Sequence, residues 1–164
     1  MSVKVGGSAP KFDLESEDGK VSLGAYKGKW LVLYFYPRDN TPGCTREAQA
    51  FTAAMAKLKK LGAEVAGVSK DSVASHCGFR DKIGIRFPLL SDPDLAVHKA
   101  YGAWGKKTMY GKTVEGVIRS TFLVSPQGKL VRAWSAVKVD GHADKVIEAL
   151  KEAQDESSSA KRGP

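Results

Sequence analysis

One cysteine in this sequence stands where its thiol is set up for chemistry. Cys44 ends the stretch 37–44, Pro-Arg-Asp-Asn-Thr-Pro-Gly-Cys, which directly follows the apolar run 30–36. This order predicts a buried strand, a tight loop and the first turn of a helix that carries the cysteine. Unpaired N–H groups and the positive end of a helix dipole stabilise negative charge on sulfur, and the thiolate is the nucleophilic form. A cysteine buried only for packing is the alternative, but it leaves Pro42 and Gly43 unexplained.

The elements that position this cysteine follow from the spacing of apolar residues. Positions three and four apart predict a helix from about residue 45 to 61, which Gly62 ends. The next strand is predicted at 64–68. A second helix, capped by Asp71 or Ser72, is predicted to run to about residue 82.

The remaining elements indicate a single α/β domain. We predict a hairpin at 10–23, an extended segment at 87–90, a helical stretch to 101, a long loop or loose hairpin at 102–116, a hairpin at 119–134 and a helix from 141 to about 153. The order predicts a mixed central sheet flanked by helices, which matches a thioredoxin-like fold with an N-terminal hairpin extension. We assign residues 1–154 to this domain and predict a disordered, serine-rich tail at 155–164.

Composition excludes several functional classes. The 164 residues carry a net charge of +8, but the basic residues are dispersed and no nucleic-acid-binding motif accompanies them, so we expect a solvated basic surface and no nucleic-acid partner. Two cysteines and three scattered histidines provide neither a disulfide framework nor a zinc-site spacing. The N-terminus has no apolar segment typical of an export signal, and no run is long enough for a membrane span. We therefore expect a cytoplasmic protein.

Four segments in order carry a resemblance to a known family. Residues 35–47 contain the motif Pro-x-x-x-Thr-x-x-Cys, and the supporting segments are 69–72 (Ser-Lys-Asp-Ser), 87–92 (Phe-Pro-Leu-Leu-Ser-Asp) and 119–122 (Arg-Ser-Thr-Phe). Together they resemble the peroxiredoxins, and most closely the bacterioferritin comigratory protein, or Q-type, subfamily. The resemblance covers about residues 5–150. It implies a thiol peroxidase that uses no metal, haem or flavin cofactor, and a monomer.

The resemblance assigns roles to the residues around Cys44, the peroxidatic cysteine. Thr41 would turn its hydroxyl toward the sulfur and the peroxide, although by itself a threonine there is equally an ordinary helix cap. Arg119 would hold the thiolate and stabilise the charge on the breaking O–O bond, although alone it reads as a surface charge. Pro37 would shape and dry the pocket, and Glu47 would orient the arginine.

The sequence departs from many Q-type relatives at the resolving cysteine. Those relatives carry a second cysteine five residues after the first, where this chain has Gln49. The remaining thiol is Cys77 on the next helix, where some relatives place theirs. Cys77 therefore either resolves the sulfenic acid or packs beside Val73 as a small apolar residue. The neighbouring His76 is interpreted as a surface or hydrogen-bonded histidine rather than a base.

These features predict a peroxidase that reduces hydrogen peroxide and alkyl hydroperoxides through a sulfenic acid on Cys44. A Cys44–Cys77 disulfide would follow, and thioredoxin or a similar dithiol would reduce it. One alternative is a one-cysteine peroxidase, and another is a peroxide sensor that signals through oxidation of Cys44. A thiol–disulfide oxidoreductase is disfavoured, because the sequence after Cys44 lacks the second cysteine of a Cys-x-x-Cys motif.

Overall fold

The computed structural model describes residues 4–161. Its strands are β1 (Asp13–Ser16), β2 (Gly19–Ser22), β3 (Trp30–Phe35), β4 (Ala63–Ser69), β5 (Leu89–Ser91), β6 (Trp104–Met109), β7 (Lys112–Val117), β8 (Ser120–Val124) and β9 (Leu130–Trp134). Its helices are α1 (Pro42–Lys60), α2 (Val73–Ile83), α3 (Ala96–Ala100) and α4 (His142–Lys161), and a short 3-10 turn covers Leu23–Tyr26. None of the helices in the described range is long and apolar enough to cross a membrane.

Seven of the strands form one mixed sheet in the order β2-β1-β5-β4-β3-β8-β9. Strands β3, β4 and β5 are parallel, whereas β8 runs antiparallel to β3. The hairpin β1–β2 extends the sheet on the side of β5. The predicted mixed sheet with an N-terminal hairpin is thus confirmed.

The central strand β3 is buried on both faces. Val32 and Tyr34 belong to one hydrophobic cluster, which includes residues of α1, α2 and α4, and Leu33 and Phe35 belong to the other. Each of these four side chains is at most 1% exposed. Because alternate residues of a strand point to opposite faces, a continuous apolar run suits a strand covered on both sides. The packing on both faces therefore holds the end of β3, and with it the start of the following loop, in a defined position.

Helix α1 begins three residues earlier than its apolar spacing indicates. Thr41 is extended (φ −89°, ψ 153°) and Pro42 is the first helical residue. Proline is favoured there because its missing N–H would have no partner in the first turn and its φ already suits a helix. Periodicity cannot register this turn, since Pro42 and Gly43 are not apolar core residues. The earlier start places Cys44 in the first turn.

The structure confirms the hairpin alternative for one further segment and lengthens the predicted helix in another. Residues 102–116, predicted as a long loop or loose hairpin, contain the regular hairpin β6–β7, whose turn at Tyr110 and Gly111 has positive φ angles of 52° and 76°. Helix α4 continues to Lys161, into the segment predicted to be disordered. Gln154 donates a hydrogen bond to the Leu61 carbonyl, and Glu156 pairs with Arg132 at 3.0 Å, so both side chains fasten the added turns. Residues 162–164 lie outside the described range.

Candidate active site

Cys44 lies in the first turn of α1, directly beyond the end of β3, and is 1% exposed. The Thr41 carbonyl accepts from Thr45 N–H at 2.9 Å, which is the first hydrogen bond of the helix. The N–H groups of Gly43 and Cys44 precede it and have no acceptor within the helix. They add to the positive end of the helix dipole beside the sulfur. The predicted environment for a thiolate is therefore present.

Arg119 reaches this sulfur from a distant part of the sequence. It immediately precedes β8, and the register of β8 against β3 pairs Ser120 with Phe35, the last residue of β3. Sheet pairing thus brings position 119 to the start of the Cys44 loop. The guanidinium Nη2 donates to Cys44 Sγ at 3.3 Å, and Nη1 donates to Glu47 Oε1 at 2.5 Å. One planar group therefore holds the thiol and the carboxylate together.

The arginine passes close over the helix backbone at Gly43. A Cβ added to Gly43 would lie 3.2 Å from Arg119 Nη2. This separation is tighter than an ordinary van der Waals contact, so a side chain at position 43 would displace the guanidinium. The glycine before the cysteine thus permits the approach of the arginine, a reason for glycine that the sequence did not reveal.

Burial governs the charges of the Arg119–Glu47 pair. Burial raises the pKa of Glu47 from 4.5 to about 7, and the neighbouring guanidinium only partly offsets this effect. Burial also disfavours the charge on Arg119, but Glu47 and Cys44 outweigh it and raise the pKa of the guanidinium above its ordinary value. The arginine stays protonated while Glu47 can take up a proton near neutrality. Glu47 Oε2 is buried and has no hydrogen-bond partner among the described residues, which is consistent with a carboxyl that ionises reluctantly.

Thr41 and Pro37 lie at the predicted positions around the cysteine, but the Thr41 hydroxyl is oriented differently from expectation. Its Oγ1 donates to the Arg38 carbonyl at 2.8 Å and makes no capping hydrogen bond. The hydroxyl proton is therefore engaged, so it is not donated to the Cys44 sulfur in this conformation. The oxygen keeps its lone pairs and can accept a hydrogen bond from a bound peroxide. Pro37 is half-buried directly after β3.

Cys77 lies on α2 and is half-buried, and both cysteines are free thiols. Helix α2 begins after Ser72, whose Oγ accepts a hydrogen bond from Ser75 N–H at 3.1 Å, which confirms the predicted cap. No bond joins Cys44 to Cys77 in this structure. The residues that the structure describes contain no cluster of His, Cys, Asp and Glu suited to a metal ion.

Sequence reasoning missed a buried polar network beside the site. Asp39, in the loop before Cys44, is 5% exposed and contacts His76 on α2. Its partners also include Tyr36 and Ser75. The interpretation of His76 as a hydrogen-bonded histidine is confirmed. A hydrophilic turn gives no signal that Asp39 is buried.

Known proteins of one family are similar to this chain. The AhpC/TSA family matches residues 5–133. Peroxiredoxin Bcp of Xanthomonas campestris is 51% identical over 146 residues, which cover 87% of this chain and 91% of that protein. Peroxiredoxin Bcp of Bacillus subtilis is 40% identical over 153 residues, covering 93% of this chain and 98% of that protein.

Solved structures show the same likeness. Xanthomonas campestris peroxiredoxin Q superposes with a TM-score of 0.82 at 51% identity, covering 86% of this chain and 90% of that one. A cysteine-to-serine mutant of Xylella fastidiosa PrxQ gives 0.84 at 39% identity, covering 93% and 99%. Structures of the Xanthomonas protein include two cysteine-to-serine mutants at positions 36 residues apart, and a trapped complex concerned with its alkyl peroxide reduction activity. These neighbours confirm the predicted thioredoxin-like fold.

Proposed function

The chain belongs to the AhpC/TSA family and is a thiol peroxidase of the bacterioferritin comigratory protein type, and we propose that Cys44 is its peroxidatic residue. The observation that carries this assignment is the 3.3 Å hydrogen bond from Arg119 Nη2 to Cys44 Sγ at a helix N-terminus. A permanent positive charge and two unpaired backbone N–H groups then surround one sulfur. Both stabilise a thiolate and any negative charge on a neighbouring oxygen.

The reaction at Cys44 transfers one oxygen atom. The thiolate attacks the terminal oxygen of a hydroperoxide, the O–O bond breaks, and sulfur is oxidised to a sulfenic acid while the peroxide is reduced. The leaving oxygen takes a proton and departs as water or an alcohol. Arg119 stabilises the charge on that oxygen, and Thr41 accepts a hydrogen bond from the peroxide through its free lone pairs. Pro37, without an N–H, excludes a competing donor from the pocket.

Hydrogen peroxide and small alkyl hydroperoxides are the proposed substrates. Only the terminal oxygen reacts with Cys44, so the chemistry does not depend on the remote group of the peroxide. The alkyl peroxide reduction activity named for the Xanthomonas protein supports the second class. We also propose that the protein acts as a cytoplasmic monomer.

Cys77 is the proposed resolving residue. Its thiol attacks the sulfenic sulfur of Cys44, a disulfide forms, and water leaves. The mutated cysteines of the Xanthomonas protein are 36 residues apart, whereas Cys44 and Cys77 are 33 apart, a difference of just under one helical turn. A disulfide needs Cα atoms within about 7 Å, and we propose that the first turn of α1 or the start of α2 unwinds to bring the two cysteines together. Thioredoxin or a similar dithiol then reduces the bond by exchange.

The decisive experiment is intact mass spectrometry after one equivalent of hydrogen peroxide, with and without a thiol-blocking reagent. We expect the monomer to lose two hydrogens and to retain no blockable thiol. One added oxygen with a blockable Cys77 would instead identify a one-cysteine enzyme that an external thiol reduces. Cys44→Ser should abolish peroxide turnover, and a variant that keeps most of its activity would contradict the assignment. Cys77→Ser should abolish the disulfide and slow turnover supported by thioredoxin.

A further inference from the structure

A buried ion pair joins the loop that carries Cys44 to the helix that carries Cys77. Asp39 lies five residues before Cys44, and His76 immediately precedes Cys77. Asp39 Oδ2 and His76 Nδ1 are 2.8 Å apart, and the two side chains are 1% and 0% exposed. The loop and α2 meet because β3 and β4 are parallel neighbours, so the segments that follow them leave the same edge of the sheet.

The hydrogen bonds around His76 favour a doubly protonated ring. His76 Nε2 lies 3.0 Å from the carbonyl oxygen of Leu90, which can only accept, so Nε2 carries a hydrogen. His76 Nδ1 faces the carboxylate of Asp39, which is already an acceptor for Tyr36 Oη at 2.6 Å and Ser75 Oγ at 2.7 Å. Because Asp39 is ionised, both ring nitrogens donate. His76 is an imidazolium, and Asp39 is its counter-ion.

The charges that face His76 favour this state. Burial opposes the positive ring, but the hydrogen bond and charge of Asp39 outweigh it, with help from Leu90 and Asp71, and raise the pKa of His76 above 6.5. Burial likewise opposes the carboxylate, yet its bonds to His76, Tyr36 and Ser75 lower the pKa of Asp39. Asp71 lies on the β4–α2 loop and also accepts from Asp39 N–H at 2.8 Å. Asp39, Asp71, Tyr36 and the Leu90 carbonyl are thus the groups facing the ring.

The pair spans the two elements whose unwinding we propose for disulfide formation. Unwinding the start of α2 moves His76, and unwinding the first turn of α1 pulls on the loop that holds Asp39. Either movement separates the buried charges, which is costly until both reach water. The contacts of Asp39 and His76 given above involve neither Cys44 nor Arg119, so the pair stands apart from the peroxide step.

We propose that Asp39 and His76 are positioning residues that lock the reduced conformation and set the rate of Cys44–Cys77 disulfide formation, and that the lock opens with release of one proton. This inference rests on the proposed resolving role of Cys77. It makes resolution pH-dependent while leaving the attack of Cys44 on peroxide unaffected. The lock thereby controls how long the sulfenic acid persists.

The sign of the pH dependence follows from the two states of His76. In the locked state the ring holds its second proton tightly, whereas in the opened, hydrated state its pKa is the ordinary 6.5. The lock is at full strength below pH 6.5 and weakens as the pH rises toward the higher pKa of the locked state. Disulfide formation should accelerate across that window by up to about tenfold per pH unit from this source. Asp39 is ionised in both the locked and the opened state above pH 6.5, so it adds nothing to the pH dependence of disulfide formation.

The test is a single-turnover measurement of disulfide formation from about pH 5.5 to 8.5. Reduced protein is mixed with one equivalent of hydrogen peroxide and quenched with a thiol-blocking reagent, and intact mass gives the fraction of Cys77 still blockable. Wild type is compared with His76→Gln, which retains Cys77 but has no titratable group at position 76. We expect the plot of the logarithm of the rate of disulfide formation against pH to be steeper for wild type than for His76→Gln, by the slope of one released proton. We also expect His76→Gln to form the disulfide at least about tenfold faster near pH 6.

A second buried histidine–aspartate pair supplies the matched control. His98 Nδ1 lies 2.6 Å from Asp92 Oδ2, both side chains are at most 1% exposed, and His98 packs against Phe35 on the opposite face of the sheet from Tyr36. His98→Gln should retain the wild-type slope despite a similar loss of a buried pair. Tyr36→Phe, which removes only one hydrogen bond to Asp39, should accelerate the disulfide partially and tests the lock if His76→Gln does not fold.

The outcomes separate this proposal from the one on which it depends. Parallel pH profiles for wild type and His76→Gln, or a Tyr36→Phe variant with the wild-type rate, would overturn the lock while leaving Cys77 as the resolving residue. No disulfide in wild type at any pH would overturn both. A steeper wild-type profile with unchanged peroxide consumption in His76→Gln supports the lock.

Discussion

Replacing Arg119 tests the geometry on which the peroxidase assignment depends. Arg119→Met keeps much of the side-chain length but removes the charge and both hydrogen bonds, at 3.3 Å to Cys44 Sγ and 2.5 Å to Glu47. A hydrogen bond to a charged group contributes about 1.5–3 kcal/mol. Since 1.4 kcal/mol corresponds to about a factor of ten, the second-order rate constant for peroxide should fall roughly 10- to 150-fold. Arg119→Lys should recover part of this loss, because an ammonium restores the charge but not the planar fork.

The assay is stopped-flow competition for hydrogen peroxide, which reports only the attack of Cys44. Arg46→Met is the matched control, because Arg46 is on the same helix and pairs with Asp140 at 2.8 Å, but the two side chains are 60% and 87% exposed. An exposed pair contributes little, so this variant should react within about twofold of wild type. Equal rate constants for Arg119→Met and Arg46→Met would refute the role of the arginine. They would leave the helix N-terminus as the sole source of activation.

Three further predictions concern the site and its movement. Gly43→Ala places a Cβ 3.2 Å from Arg119 Nη2, so the peroxide rate constant should fall about three- to tenfold; an unchanged value would mean that the guanidinium shifts without losing its bond to the sulfur. Gly78→Ala adds a methyl group that meets nothing within 4 Å and stabilises α2 by about 1 kcal/mol. If α2 unwinds during resolution, disulfide formation with Cys77 should slow about fivefold by quenched-flow mass spectrometry, and an unchanged rate would place the unwinding in α1 alone. Glu47→Gln removes a carboxyl whose pKa is raised to about 7, so the folded state of wild type binds this proton more tightly than the unfolded state. Relative to the variant, the wild-type free energy of unfolding should be highest below pH 4.5 and fall by roughly 3 kcal/mol as the pH passes through 7, and denaturant titrations with parallel pH profiles would contradict this.

Local signals were sufficient to predict the elements that place Cys44. The apolar run of β3 is continuous because both faces of the strand are covered, and the pair Pro42 and Gly43 indicates the start of a helix. The proximity of Arg119 was not a local signal. It depends on the antiparallel pairing of β8 with β3. From the sequence, only the resemblance to a family indicated that Arg119 lies near Cys44.

Side-chain interactions that depend on the folded structure could not be predicted from a single sequence. The Thr41 hydroxyl donates to the Arg38 carbonyl, three residues earlier, and in this orientation its oxygen accepts no helix-capping hydrogen bond. The end of α4 depended on Gln154 and Glu156 finding partners on Leu61 and Arg132, more than 20 residues away in each case. The serine-rich composition alone indicated disorder there, because composition does not register tertiary contacts.

The Asp39–His76 pair shows why buried charges are the hardest feature to predict. Each residue has an ordinary local explanation, Asp39 as a turn residue and His76 as one position on a helix. Their meeting requires the parallel order of β3 and β4, which places the following loops side by side, and a Leu90 carbonyl from β5 to hold the second ring nitrogen. Since the same parallel order brings the helices of Cys44 and Cys77 to one edge, the topology that makes resolution by Cys77 possible also creates the ion pair that opposes it.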